Sequence, residues 1–237
     1  MSKLIVGGFT LSLVICVQVF SQNKPDLNAN RLRTITSKIE VFIGPSSVSI
    51  HGNEGFANYG VPKVGYAGGI GFIHNFGRIV ALNARILWER KGFRQREVIT
   101  YVPDPGGAPV TGTLTSNITN DYLTVSILPR FAFGKYGRFN IGAGGYFGSL
   151  RKSKTTNHYF YPIHYNVTTN SKNEYDQYDG GLSFNLGYTF PFRRSLSFTI
   201  QFLNNYGLRQ ISRFYNLNPG YESIKNNSYS VLVGVNF

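Results

Sequence analysis

The chain has 237 residues and a formal net charge of +13, and it combines 19 Phe, 16 Tyr and 27 Gly with only 15% charged residues. One domain accounts for that length, and the aromatic, glycine-rich composition excludes a disordered or charge-rich helical protein in favour of a β-rich one. The positive balance leaves nucleic acid, acidic polysaccharide and anionic lipid headgroups as partners, and the first residues choose among them.

Met1 to Ser21 reads as a secretory signal, with Lys3 as its charge and an apolar run from Leu4 to Phe20. Val19 and Ser21 supply small side chains for cleavage before Gln22. Export removes nucleic acid as a partner. The single cysteine, Cys16, lies inside this signal, so the mature chain is expected to have no disulfide, thiol nucleophile or cysteine metal site. No later stretch approaches the apolar length of a membrane helix, and residues 22–37 form a polar periplasmic lead-in without periodicity.

From residue 38 to 237 one barrel domain is predicted, built from eight alternating segments. The first, Lys38 to Ile43, sets Ile39, Val41 and Ile43 against Lys38, Glu40 and Phe42. The second, Val64 to Ile73, opposes Tyr66, Ile70 and Phe72 to small residues. The third, from Ile79 to about Arg96, alternates Val80, Leu82, Ala84, Ile86 and Trp88 with Ala81, Asn83, Arg85, Leu87 and Glu89. In the fourth, Leu123, Val125, Ile127, Pro129, Phe131 and Phe133 oppose Tyr122, Thr124, Ser126, Leu128 and Arg130. The fifth (Arg138 to Leu150), sixth (Tyr178 to Phe190) and seventh (Leu196 to Phe202) repeat the pattern. The eighth, Asn227 to Phe237, puts Tyr229, Val231, Val233, Val235 and Phe237 on one face, with Leu232 alone breaking the polar face opposite.

One face of these segments is apolar, and the other carries Ser, Thr, Asn, Gln, Gly and a few charges. That is the inverse of a soluble barrel and fits strands whose apolar face meets lipid. Short connections at 74–78, 134–137 and 191–195 alternate with long ones near 44–63, 97–121, 151–176 and 212–226, as periplasmic turns alternate with outward loops. The sequence therefore predicts an all-β, eight-stranded antiparallel up-and-down transmembrane β-barrel in the bacterial outer membrane. Its terminal strand face, from Tyr229 to Phe237, is expected to serve the barrel assembly machinery as an assembly signal.

The stretches LNARILWERKGFR (Leu82 to Arg94), DYLTVSILPRFAFGKYGRFNIGAGGYFGSL (Asp121 to Leu150), YDGGLSFNLGYTF (Tyr178 to Phe190) and the terminal SYSVLVGVNF resemble the PorT-like outer-membrane β-barrel family. Lys91 and Gly92, Tyr122 and Leu123, and Gly142 to Tyr146 stand at that family's recurring positions. Thr124 replaces an acid common in the family, and Gly145 replaces a proline. The resemblance covers most of the mature chain. It implies a link to type IX secretion and gliding machinery and transfers no catalytic residues.

A barrel of eight strands is just wide enough for side chains to fill its interior. The inward set Glu40, Arg85, Glu89, Arg130, Arg138 and Asp179 is therefore expected to form an interior ion-pair and hydrogen-bond network rather than a conducting pore. Arg90, Lys91, Arg94, Arg96, Arg151, Lys152, Lys154, Arg209 and Arg213 fall at the outward strand ends, where they are expected to meet phosphates of lipopolysaccharide. In HYFYPIHY (His158 to Tyr165) the two His have no acid or Cys among them, so a metal site is not expected. Its exposed aromatics suit a protein partner or a simple hairpin extension.

His51, His158 and His164, with Glu54, Asp104, Glu174 and Asp176, show no triad spacing. No catalytic, cofactor or metal residue is assigned. The expected role is structural or interactive, through the extracellular loops; a PorT-type secretion component and an outer-leaflet lipid-modifying enzyme are the alternatives.

Overall fold

The computed structural model of the protein describes residues 36–52, 60–77, 79–101, 110–134, 138–160, 164–192, 196–213 and 224–237. The expected signal and nearly all of the lead-in lie outside them, as do Glu54 and Asp104. Ten strands are present among the described residues: β1 (Thr36–His51), β2 (Gly60–Val61), β3 (Lys63–Asn75), β4 (Val80–Tyr101), β5 (Val110–Phe133), β6 (Phe139–Phe160), β7 (Tyr165–Asn170), β8 (Tyr178–Pro191), β9 (Ser197–Gly207) and β10 (Lys225–Asn236). Because β1 already starts at Thr36, the lead-in ends two residues earlier than the sequence suggests.

Eight of these strands close a ring. β1 pairs with β3, β3 with β4, β4 with β5, β5 with β6, β6 with β8, β8 with β9 and β9 with β10, always antiparallel. β10 then returns to β1, from Glu40↔Asn236 to His51↔Lys225. Every ring strand thus has two neighbours and no edge is left, which a chain in hydrocarbon requires. β2 and β7 lie off the ring, pairing with the outer ends of β4 and β6.

The alternation places the apolar faces outside. Val41, Ile43, Ile70, Phe72, Ile86, Val125, Ile127, Ile141, Leu186, Ile200, Val231 and Val233 are exposed, whereas their inward neighbours are buried. On β4 the outward series runs from Val80 to Trp88 before Arg90 ends it. These nine residues, at about 3.3 Å each and tilted about 40°, climb about 23 Å, close to the height of an outer-membrane apolar band. Tyr66, Trp88, Tyr178, Tyr206 and Tyr229 rim its outer edge, and Phe76, Phe133, Phe139, Phe190 and Phe198 its inner edge, as the two aromatic girdles of such barrels do.

Two departures from the sequence pattern have physical causes. β1 does not stop at Ile43 but passes through Gly44 and Pro45 to His51. Its pairing with β3 is continuous through Pro45↔Tyr66, while pairing with β10 skips from Ile43 to Ser46, so the missing proline N–H falls on one side only. Pro129 does the same in β5, where the ladder to β4 is unbroken and the ladder to β6 skips from Ile127 to Arg130.

The second departure concerns the outward loops. Much of the expected loop sequence is strand: β4 reaches Tyr101, β5 begins at Val110 and β6 continues to Phe160. Above the membrane both faces are wet, so the ladder persists after the apolar alternation that reveals it has vanished.

Candidate functional site

The barrel interior is filled in layers, which can be followed up β4. Its inward residues are, in order, Asn83, Arg85, Leu87, Glu89, Lys91 and Phe93, all nearly fully buried. Strand parity alone puts these six side chains into the lumen one above the other.

The lower charged layer joins Arg85, Glu40 and Gln201. Arg85 Nη2 lies 3.4 Å from Glu40 Oε2 and also donates to Gln201 Oε1. Gln201 Nε2 donates to the other Glu40 oxygen, Oε1, and Asn185 Nδ2 donates to Gln201 Oε1 at 2.9 Å. The neighbouring strand makes room for the Arg85 side chain: a side chain on Gly71, the cross-strand partner of both Arg85 and Glu40, would begin 3.3 Å from Arg85 Cγ and 3.4 Å from Glu40 Oε2.

An apolar belt of Phe42, Ala67, Leu87, Leu203 and Leu232 separates this layer from the next. Leu232, the single residue that broke the alternation of the last strand, is wholly buried in this belt.

The upper charged layer is built on Lys91. Its Nζ lies 2.9 Å from Asp179 Oδ2 and 3.5 Å from Glu89 Oε2, and it stands 4.4 Å from the centre of the Tyr146 ring. Asp179 accepts further bonds from Tyr146 Oη at 3.2 Å and Asn226 Nδ2 at 3.0 Å. Glu89 Oε1 accepts from Asn205 Nδ2 at 2.7 Å, and Asn205 is itself held by Ser183. Buried charges persist only when paired and hydrogen-bonded in this way.

Over the outer mouth lies a second apolar cluster, Ile50, Phe93, Ile118, Tyr122, Leu150, Tyr175, Ile211 and Ile224. It draws residues from four strands, β1, β4, β5 and β6, and from the connections that precede β8 and β10. The hydrogen bonds from Asp176 N–H to Ile211 O and from Ile211 N–H to Ile224 O tie those connections together. Here, above the membrane, burial raises the pKa of the Glu174 carboxyl and of the Tyr175 phenol.

Outside, the sheet of β4, β5 and β6 rises above the apolar band and carries most of the expected basic residues. Arg90 grips Asp121 through two bonds of 2.7 and 3.1 Å and lies over the Tyr66 ring. Arg94 donates to Asn117 at 2.9 Å. The register slips by one residue between Asp121↔Lys152 and Tyr122↔Leu150. This bulge turns Arg151 and Lys152 outward in succession, and both are exposed, as are Arg96 and Lys154. Arg209 and Arg213 are exposed at the mouth and share Asp176 at 4.0 and 3.3 Å.

Residues 20–213 match the profile of the family described as outer membrane protein beta-barrel domain. The chain belongs to that family. Its strands therefore cross the bacterial outer membrane, and the apolar band is its lipid-facing surface. Among solved structures the chain is similar to the attachment invasion locus protein Ail of Yersinia pestis, at 11% identity over 85% of this chain and 99% of that one, with a TM-score of 0.41. It is also similar to Neisserial surface protein A (9% identity, 84% and 95% covered, TM-score 0.42) and to OprG of Pseudomonas aeruginosa (12%, 86% and 97%, TM-score 0.39). No curated protein matches the sequence.

Of the expected interior set, Glu40, Arg85, Glu89, Arg130 and Asp179 are buried in the lumen, and Arg138 is partly buried just before β6. The structure puts Glu40 and Arg85 in the lower layer and Glu89 and Asp179 in the upper one rather than joining the set in one network. Lys91 is corrected: it is not an outer-surface cation but a lumen residue, 1% exposed and central to the upper layer. It shares the parity of Arg85 and Glu89, so its place was readable from the alternation.

Gln201, Asn205, Asn226 and Tyr146 also belong to these layers and went unassigned because, uncharged, they look like ordinary inward polar residues. His158 and His164 lie near the top of the β6–β7 hairpin, where His158 Nδ1 meets Asn166 Oδ1 at 2.7 Å and Tyr159 stacks on Tyr165 at 4.4 Å. That segment extends a hairpin. Phe237 exchanges two backbone hydrogen bonds with Ile39 at the foot of the seam.

Proposed function

We propose that this chain is a closed, non-enzymatic barrel that works by presenting the outer ends of its strands to macromolecules outside the cell. The observation that carries this reading is the lumen, filled by the Arg85–Glu40–Gln201 and Lys91–Asp179–Glu89 layers and covered by the Tyr175–Ile211–Ile224 cluster. A conduit would need a continuous wet path, and this interior holds an apolar belt between paired charges.

The material beyond the membrane is instead spent on display. β6 and β7 form an exposed hairpin with stacked tyrosines near its tip, a composition suited to protein contact. Arg94, Arg96, Arg151, Lys152 and Lys154 stand just above the apolar band, and their exposure supports contact with lipopolysaccharide phosphates. A place in a PorT-type secretion machinery is the second reading, favoured by the resemblance of residues 82–94 and 121–150; it entails loss of secreted cargo when the gene is deleted.

Site-specific photo-crosslinking on intact cells tests the main reading. A crosslinker at Tyr165 is expected to trap a macromolecular partner, while one at lipid-facing Ile141 traps lipid. Lipid adducts alone from both positions would refute display as the function.

A further inference from the structure

The two charged layers of the lumen differ in their cation. The lower one holds the Arg85 guanidinium, which keeps its proton at any relevant pH and cannot act as a nucleophile. The upper one holds a primary amine, which becomes a nucleophile once it gives up a proton. Lys91 Nζ lies 2.9 Å from Asp179 Oδ2 and 3.5 Å from Glu89 Oε2, so one ammonium faces two carboxylates. All three side chains are at most 2% exposed. A buried ion pair needs only one carboxylate. The second leaves the layer with surplus negative charge and a place for a shared proton.

The surroundings suit condensation of the amine with one of the acids. The Leu87–Leu232 belt lies below and the Tyr122–Tyr175 cluster above, and the Tyr146 and Tyr122 rings stand 4.4 and 5.4 Å from Nζ. In bulk water, hydration of the separate ions opposes amide formation. Here that hydration is already gone, and an amide removes a buried ammonium and a buried carboxylate together. Holding amine and acid in contact also supplies the large effective concentration of an intramolecular reaction. Asp179 is the acid prepared for attack. Tyr146 Oη donates to its Oδ1 at 3.2 Å and Asn226 Nδ2 to its Oδ2 at 3.0 Å, so donors are in place where charge develops on oxygen. Glu89 is held by Asn205 through Oε1, which leaves Oε2 toward the amine.

We propose that Lys91 and Asp179 join in an intramolecular isopeptide bond, formed by the folded barrel itself with Glu89 as proton carrier. Glu89 relays one proton from the Lys91 ammonium to Asp179 Oδ2, giving a neutral amine beside a neutral acid. The amine attacks Asp179 Cγ. Glu89 then carries a second proton from nitrogen to the same oxygen, the Cγ–Oδ2 bond breaks, and water leaves. One Nζ–Cγ bond replaces one Cγ–Oδ2 bond, nitrogen keeps one proton, and Glu89 ends as it began. The product joins β4 to β8 through the lumen, linking positions 88 apart in the sequence, and braces the barrel shut. The bond rests on the geometry of this layer and not on what the outer strand ends contact.

The test is the mass of the full chain recovered from outer membranes. The denatured protein is expected to be lighter than its sequence by one water, to resist trypsin after Lys91, and to yield a branched peptide joining the segments around Lys91 and Asp179. Asp179 precedes Gly180, and a succinimide there would also lose one water, but it leaves Lys91 cleavable and gives no branched peptide. Lys91→Arg should show the full mass, and Asp179→Asn should form the same bond with loss of ammonia in place of water.

Protein refolded from urea begins as the ion pair and should convert with time, and Glu89→Gln should slow that conversion by about a hundredfold or more. If a variant fails to fold, the unsubstituted chain decides. Full mass with normal cleavage after Lys91, or water loss without the branched peptide, would overturn the bond. Equally fast conversion in Glu89→Gln would overturn the role of Glu89.

Discussion

Replacing Lys91 by Met keeps the length and apolar bulk of the side chain and removes one charge from the middle of the upper layer. Asp179 is 0% exposed and Glu89 2% exposed, and Lys91 Nζ is the cation within 4.0 Å of both. The substitution therefore leaves two carboxylates buried together without a counter-charge. Breaking a buried pair from one side costs about 3–5 kcal/mol. With a urea dependence near 2 kcal/mol per molar, the unfolding midpoint should fall by about 2 M relative to barrel in which Lys91 and Asp179 are still an ion pair.

Trp88, the single tryptophan of the chain, sits on the lipid face of β4 three residues away and reports unfolding from vesicles by its fluorescence. The companion variant Lys91→Met/Asp179→Leu/Glu89→Gln removes all three charges and should recover most of the loss, because an apolar replacement of a buried charge cluster is close to neutral. A Lys91→Met midpoint within about 0.5 M of the unsubstituted protein would refute a structural role for the upper layer.

Three other outcomes follow from the geometry. Val233→Arg, at the middle of the outward face of β10, should cost about 2–4 kcal/mol in vesicle unfolding, whereas Tyr229→Arg at the outer rim should cost about 1 kcal/mol or less; equal costs would show that the band is not where the exposed residues place it. Gly92 has φ of +138°, so Gly92→Ala should lower stability by about 1–3 kcal/mol, and an unchanged urea midpoint would mean the backbone there is not strained. A membrane-impermeant maleimide should label Thr168→Cys on intact cells and Phe76→Cys only after the outer membrane is opened; the reverse pattern would invert the topology.

The fold was legible in the sequence to the extent that lipid made it so. Wherever one strand face meets hydrocarbon, as from Val80 to Trp88 or from Tyr229 to Val235, the period of two assigns the side chains to faces, with Leu87 and Leu232 the large apolar residues on the inward side. Above the band, Val110–Asp121 and Arg151–Phe160 are strands rich in Thr, Ser, Asn and Lys. No apolar partner selects their faces, so they read as loops.

The interior was half legible. Parity delivered Glu40, Arg85, Glu89, Arg130 and Asp179 and would have delivered Lys91, but which of them meet depends on strand register and tilt. Arg85 finds Gln201 across 116 positions of sequence, and Gln201 finds Glu40 across 161. Similarly, Lys91 meets Asp179 across 88 positions, through ladders that run from β4 by way of β5 and β6 to β8. No periodicity within β4 alone contains it.

Planar-bilayer recording of the purified, refolded protein measures the state of the interior most directly. A lumen closed by two ion-paired layers, an apolar belt and an apolar cap is expected to be electrically silent under an applied voltage. Steady ohmic conductance from protein whose heat-dependent electrophoretic mobility shows it to be folded would contradict a closed barrel.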